Sequence, residues 1–291
     1  MSVSKQLHLP IENQILAAMT RAQYQRLAPH LEQVELEVGQ VLYKANEPIT
    51  HVYFPHQSIV SLVCIQKDGS TVEAGIVGND GIVGVSVILG SKTTNTTAFV
   101  QIRGSSLMMK TELLIAEFNR GGELQGLLLR YTHELLIQVT QTLACNSLHT
   151  IERRLARWLL IIADRVQSDT FFLTQEYIAK MLACRRTGVT EAANRLSRAG
   201  MISYKRGTIN ILNRQNLEDT SCECYSMIKD EYARLLSVPI QPALDKMSRE
   251  QGAGSREQGA GSREQGAGSR EQGAGSRERE NDFPFSLHKN L

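Results

Sequence analysis

Residues 173–199 read LTQEYIAKMLACRRTGVTEAANRLSRA. Thr174 stands just ahead of a helical apolar spacing, where its hydroxyl suits an N-cap. Glu176 falls in the first turn, where a carboxylate complements the helix dipole. Ile178, Met181 and Leu182 supply one buried face. The pattern breaks at Ala183-Cys184-Arg185 and resumes at Arg186. In the second helix Val189, Ala192, Ala193 and Leu196 share the inner face. Arg186, Thr187, Thr190, Glu191, Asn194, Arg195 and Arg198 share the outer one. Two short helices joined by a turn of about three residues form a helix-turn-helix, whose second helix lies in the major groove of duplex DNA.

The residue types fit that role. Arginine donates two bonds to guanine, and threonine meets a polar edge or a thymine methyl. Base reading is therefore expected of Arg186, Thr187, Thr190 and Glu191. Thr174 and Gln175, at the start of the first helix, are expected near phosphate. Arg185 and Arg195 are expected to act with them. Met201–Lys205 and Thr208–Leu212 flank Arg206-Gly207 and predict a hairpin wing, with Lys205 and Arg206 at its tip.

Charge supports the same stretch. Residues 1–149 carry a net −2, residues 150–217 a net +7 and residues 218–291 a net −3. A localised positive block is the footprint of a polyanionic partner. Upstream, a helix is predicted over Thr150–Asp164, with Arg153, Arg154 and Arg157 beside an apolar face containing Leu155, Trp158 and Leu159. Downstream, a final helix is predicted over Leu217–Leu236.

The first 30 or so residues read as short helices, with helical apolar spacing from Ile11 to Leu27. At Val34 the period changes to two. Val34, Leu36 and Val38 alternate with charged residues up to Gly39. Short strands follow at Val41–Tyr43, Val52–Phe54, Ile59–Ile65, Thr71–Val77, Ala98–Ile102 and Ser106–Lys110. Asp68-Gly69 between two of them is a hairpin signal. Many short strands at close spacing predict an antiparallel β-roll or jelly roll.

A long helix is predicted from Glu123 to about Cys145. Leu124, Leu128, Tyr131, Leu135 and Gln138 form one row along it. Leu129, Thr132, Leu136, Val139 and Leu143 form a second. Two stripes need two burial partners. One is the roll; the other is either a second copy of the helix or another part of the same subunit, and a homodimer is the expectation, through Leu129, Leu136, Val139 and Leu143.

The expected class is α+β: a sensor-like β-roll over 1–122, a dimerisation helix over 123–149, a winged helix-turn-helix over 150–237, and a tail over 238–291. The tail holds four copies of SREQGAG at 248–275. Two glycines per heptad oppose helix, and no apolar pair forms a seam, so disorder is predicted.

Other classes fit poorly. The scattered His51, His56, His133 and His149 form no nucleophile–base pattern, and the Gly78–Gly84 run lacks a following Lys, so no enzyme is expected. The five cysteines make a poor disulfide framework. Cys222-x-Cys224 offers two thiols, which do not complete a zinc site, so no metal is expected. No apolar run reaches the roughly 18–20 residues of a membrane span, and Met1–Pro10 lacks a secretory layout. A cytoplasmic location follows. The alternative to a DNA-binding regulator is a ligand-sensing module that acts through a protein partner and keeps a vestigial basic domain.

The sequence resembles the CRP/FNR family of transcription regulators. The likeness rests on Thr174-Gln175-Glu176-x-Ile178-Ala179, Cys184-x-Arg186-x-x-Val189 and Leu196-x-x-Ala199-Gly200-Met201-Ile202, and spans about residues 30–237. It implies a cyclic-nucleotide-binding-like roll, a dimerising helix, a winged helix and RNA polymerase as a partner. It puts Arg186, Thr187 and Glu191 on base-reading positions. Ala183 replaces the family's turn Gly and Arg185 a hydroxyl cap, each costing about 0.5–1 kcal/mol. Family members that bind cyclic nucleotide carry Gly-Glu and then Arg-Ser-Ala. Here Val85 stands near the Glu position and Thr96 near the Arg position, and no basic residue lies between Lys92 and Arg103. Little or no cAMP binding is expected. No cofactor is predicted and the effector is unknown.

Overall fold

A polar cap stands at the start of the first helix. In a computed structural model, which describes residues 13–237, Asn13 accepts from the backbone of Ile15 and Leu16 at 3.1 and 3.2 Å. This starts helix α1 (Gln14–Ala17). The Asn13 amide also donates to the Pro55 and Gly81 carbonyls, pinning the helix to the strands. Helix α2 (Arg21–Leu27) begins with a Thr20/Gln23 capping box.

Seven strands follow: β1 (Glu32–Leu36), β2 (Val41–Tyr43), β3 (His51–Pro55), β4 (Ile59–Ile65), β5 (Thr71–Val77), β6 (Thr97–Ile102) and β7 (Gly104–Lys110). They form two antiparallel sheets, ordered β1-β7-β3 and β2-β6-β4-β5. Val52, Phe54, Val60, Val83 and Val100 are fully buried in this core. Alternation in β1 stops one step earlier than expected. Leu36 is buried but Val38 is 64% exposed. Gly39, at φ +83°, turns the chain there and donates to the Val100 carbonyl.

Helix α3 (Thr111–Asn119) ends at Gly121-Gly122, both at positive φ, and α4 (Glu123–Leu148) runs 26 residues. Its row of Leu124, Leu128, Tyr131 and Gln138 is buried. Gln138 Oε1 accepts from the Ile76 backbone at 2.8 Å. Tyr131 lies so close to Gly81 that a Cβ there would meet its hydroxyl at 2.2 Å.

Helix α5 (Ile151–Val166) is capped by Thr150 and is buried at every residue from Arg154 to Ala163. Of the three arginines read beside its apolar face, Arg153 is exposed and Arg154 and Arg157 are buried. Arg154, Arg157 and Arg165 are 7%, 3% and 5% exposed. From Arg154 to Ala163 the helix has neighbours on several sides, and no face is left to water. Arg165 Nε donates to Asp80 at 2.6 Å and its Nη1 to the Ile76 carbonyl at 2.8 Å. Trp158 Nε1 donates to Glu73 Oε1 at 2.7 Å, while Ser61 donates to Glu73 Oε2 at 2.7 Å.

The remaining elements are β8 (Thr170–Phe172), α6 (Gln175–Met181), α7 (Arg186–Arg198), β9 (Ile202–Lys205), β10 (Thr208–Ile211), α8 (Arg214–Thr220) and α9 (Cys224–Ser237). Strands β8, β10 and β9 form a small antiparallel sheet in that order. The single helix expected over 217–236 is two helices. Asn213 caps α8 by accepting from Asn216, and Ser221 is extended, breaking the chain before Cys222. The tail expected over 238–291 lies outside the described residues.

Burial pushes the Glu73 carboxyl up to about 7, against the lowering effect of its bonds from Trp158 and Ser61. Glu134 is pushed up to about 7 by burial too, partly offset by Arg165. A raised carboxyl stabilises the fold most below its unfolded pKa. That contribution is lost as pH rises through 7. Glu73→Gln keeps an acceptor for Trp158 and removes one titration. Its amide can donate to Ser61, whose own proton then turns to Gln101 Oε1 at 2.7 Å. Urea unfolding at pH 5 and pH 8 should show the parent losing on the order of 2 kcal/mol more than Glu73→Gln. Equal losses would remove Glu73 from the pH response.

Candidate nucleic-acid interface

Thr174 performs the capping role read from the sequence, accepting from the Tyr177 backbone at 3.2 Å. Ile178, Ala179, Met181 and Leu182 bury the inner side of α6 and its end. The turn then requires a left-handed residue. Ala183 sits at φ +47°, and Cys184 N–H returns to the Ala179 carbonyl at 3.0 Å. Arg185 occupies the N-cap of α7 with no side-chain cap bond. Val189, Ala192, Ala193 and Leu196 are buried. Gly188 lets α7 close on α5: a Cβ there would lie 2.6 Å from Ile151 Cδ1.

This packing leaves Arg186, Thr187, Glu191, Asn194 and Arg198 exposed along one side of α7. Thr190 differs from them. It is half-buried, and its hydroxyl lies 2.7 Å from Gln175 Oε1 and 3.0 Å from the Arg186 carbonyl. Thr190 and Gln175 thus brace α7 against α6. Arg195 is also engaged, with Nε 2.5 Å from Glu152. Lys180, not singled out from the sequence, is exposed near the end of α6. Its helical position away from Ile178 and Met181 was the available signal.

The wing is a tight hairpin. Arg206 (φ +50°) and Gly207 (φ +87°) are its two central residues, the signature of a type I′ turn. A Cβ on Gly207 would strike Phe172 at 2.4 Å. Lys205 and Arg206 are exposed at the tip. Exposed cations therefore sit on α6, on α7 and on the wing, whereas the arginines buried in α5 add nothing to this surface.

The helix-turn-helix also touches the roll. The Phe99 and Tyr177 rings meet edge-on with centroids 6.0 Å apart. Tyr177 Oη lies 3.3 Å from Ser61 Oγ, which also bonds Glu73. In the roll, Gly84 at φ +87° opens a 3-10 turn over Val85–Leu89. Val85 is 4% exposed. Thr96 hydrogen-bonds Tyr43, whose hydroxyl burial pushes up to about 12. The two positions that the resemblance puts near the nucleotide-binding charges hold a buried valine and a neutral hydroxyl.

Residues 33–120 match the cyclic nucleotide-binding domain family, and residues 153–220 match the Crp-like helix-turn-helix domain family. Curated protein sequences give no match. Among solved structures, FixK2 from Bradyrhizobium japonicum superposes with a TM-score of 0.58 at 18% identity, over 66% of this chain and 98% of its own. A CRP-family regulator from Thermus thermophilus gives 0.54 at 19% identity, over 65% and 96%. The c-di-GMP-responsive regulator CLP from Xanthomonas campestris gives 0.54 at 14% identity, over 66% and 99%. With both domain families matched in this order, the chain belongs to the CRP/FNR family of transcription regulators.

The strain at Ala183 is testable. A residue with a Cβ is disfavoured in the left-handed region. Ala183→Gly should raise stability by about 0.5–1 kcal/mol in urea unfolding, net of the entropy glycine adds to the unfolded chain. A loss of stability would show that the turn tolerates its Cβ without strain.

Proposed function

We propose that the protein is a homodimeric, sequence-specific DNA-binding regulator that reads a palindromic operator through α7 and does not require cAMP. The observation that carries this reading is the α7 surface. Arg186, Thr187 and Glu191 are exposed at its N-terminal half, on a helix held from behind by buried Val189 and Ala192. Base edges are reached by that part of a recognition helix. Arg185, Lys205 and Arg206 are proposed to meet phosphate, with Thr174 beside them. Thr190 and Gln175 act mainly as the brace, and Arg195 must leave Glu152 to reach DNA.

The dimer rests on α4. Leu129, Leu136 and Leu143 are 46%, 59% and 69% exposed, and Val139 is half-buried. With Thr132 they step by three and four along one side, the spacing of a two-stranded seam. Burying each leucine contributes about 1.5–3 kcal/mol. Two copies then present two α7 helices to two half-sites.

Independence from cAMP rests on Val85 and Thr96. A cyclic phosphate that meets no cation forgoes charge-assisted bonds worth roughly 1.5–3 kcal/mol each. The domain division at 122, 149 and 237, a cytoplasmic location, contact with RNA polymerase and the lack of an enzymatic role all belong to this reading. Among the described residues no helix is long and apolar enough to cross a membrane.

Two measurements follow. In gel shifts against the selected operator, Arg186→Ala should weaken binding about 10–100-fold and leave weak salt-sensitive binding to any duplex. Unchanged operator affinity would remove α7 as the reader. In sedimentation equilibrium at micromolar concentration, the parent should be a dimer and Leu136→Glu a monomer. A monomeric parent would end the dimer proposal.

A further inference from the structure

The chain break between α8 and α9 meets the C-terminal end of α4. Cys222 lies in the break and Cys224 is the first residue of α9. Cys145 is in the last turn of α4, and His149 is its C-cap. One donor atom from each of these four residues lies within 4.8 Å of the others. Cys145 Sγ and Cys222 Sγ are 3.5 Å apart, as are Cys224 Sγ and His149 Nδ1. A tetrahedral zinc with Zn–S of about 2.3 Å and Zn–N of about 2.0–2.1 Å has edges of about 3.5–3.8 Å. We propose that Cys145, His149, Cys222 and Cys224 form a structural zinc site that staples the end of α4 to the start of α9.

The surroundings suit a metal better than plain packing. Cys145, Cys222 and Cys224 are 0%, 3% and 1% exposed and form a small cluster apart from the two main cores. His149 turns Nδ1 toward the thiols, and its Nε2 lies 3.2 Å from Glu223 Oε1. A carboxylate on the far ring nitrogen is the usual outer support of a metal-bound histidine. Gln141 Nε2 donates to Cys224 Sγ at 3.1 Å.

Charge balance gives an independent reason. Arg154 and Arg157 are buried on α5, and neither forms a carboxylate ion pair among the described residues. Arg157 is within electrostatic reach of Cys145, and Arg154 of Cys145 and Cys222. Three thiolates and a neutral imidazole around Zn²⁺ carry a net negative charge. That charge compensates the buried guanidiniums, of which Arg157 is otherwise faced by Glu73, a carboxyl pushed up to about 7, and Arg154 by the Leu182 carbonyl and the Cys184 thiol.

Two other readings fit less well. The four cysteine and histidine donors crowd around one point, whereas a two-iron cluster spreads its ligands over two metal atoms. All five cysteines are free, and the 3.5 Å separation is far from a disulfide bond of about 2.0 Å. The site occupies the junction where α4, with its exposed leucines, hands the chain through Thr150 to α5 and the reader. A bound ion would hold the start of α9 against the end of α4 beside that junction.

Full-length protein, purified with its thiols reduced and dialysed against metal-free buffer, should retain about one zinc per chain by elemental analysis. Cys222→Ser and Cys145→Ser should lose it, and Cys64→Ser in β4 should keep it. If the serine variants do not fold, chelated parent reloaded with cobalt(II) should show the intense visible bands and thiolate charge-transfer band of a tetrahedral site. Four results would overturn the proposal: zinc-free parent with no cobalt bands, zinc retained in folded Cys222→Ser, zinc lost from Cys64→Ser, or a Cys145–Cys222 disulfide in the reduced-handled parent.

Discussion

Helix α5 has no water-facing side along ten consecutive residues, from Arg154 to Ala163. A helix buried all round must sit between other elements. Here the roll lies against one part of it and the helix-turn-helix against another. Gly188 admits α7 on one side, and Gly78 admits the Arg165 side chain on another. Burying arginines is costly unless each finds partners. Arg165 finds Asp80 and the Ile76 carbonyl, and Arg154 finds the Leu182 carbonyl at the end of α6. Two of the charges that make residues 150–217 basic are therefore internal: Arg165 ties α5 to the roll and Arg154 ties it to the end of α6.

This arrangement places the roll and the reader in direct polar contact. Glu73 on β5 receives Trp158 from α5 and Ser61 from β4, and Ser61 also meets Tyr177 on α6. Asp80, in the turn that follows the same strand, holds Arg165, and its carbonyl accepts from Tyr232 on α9. A rearrangement of β5 would reach α5, α6 and α9 without passing through solvent. The cyclic nucleotide-binding domain thus has a physical connection to the helix-turn-helix.

Much of this was legible in the sequence because it depends on local chemistry. Strands β2, β4 and β5 coincide with β-branched runs bounded by turn residues. The two faces of α7 follow from a 3.6 period, and the cap at Thr174 from a single hydroxyl. What was not legible depends on distant partners. Strand β8 has three residues and exists by pairing with β10. The apolar spacing from Leu217 to Leu236 runs through a break made by Ser221. Gln175 and Arg195 have internal partners, Thr190 and Glu152, that lie 15 and 43 residues away and that spacing does not show. Cys145 and Cys222, 77 residues apart, could not be paired from spacing.

Selection from random duplex DNA by the purified protein, with and without cAMP, tests the central claim most directly. The account predicts one enriched two-fold-symmetric sequence, with half-sites about one helical turn apart, the same in both conditions. Enrichment of no sequence, or of a symmetric site only when cAMP is present, would contradict it.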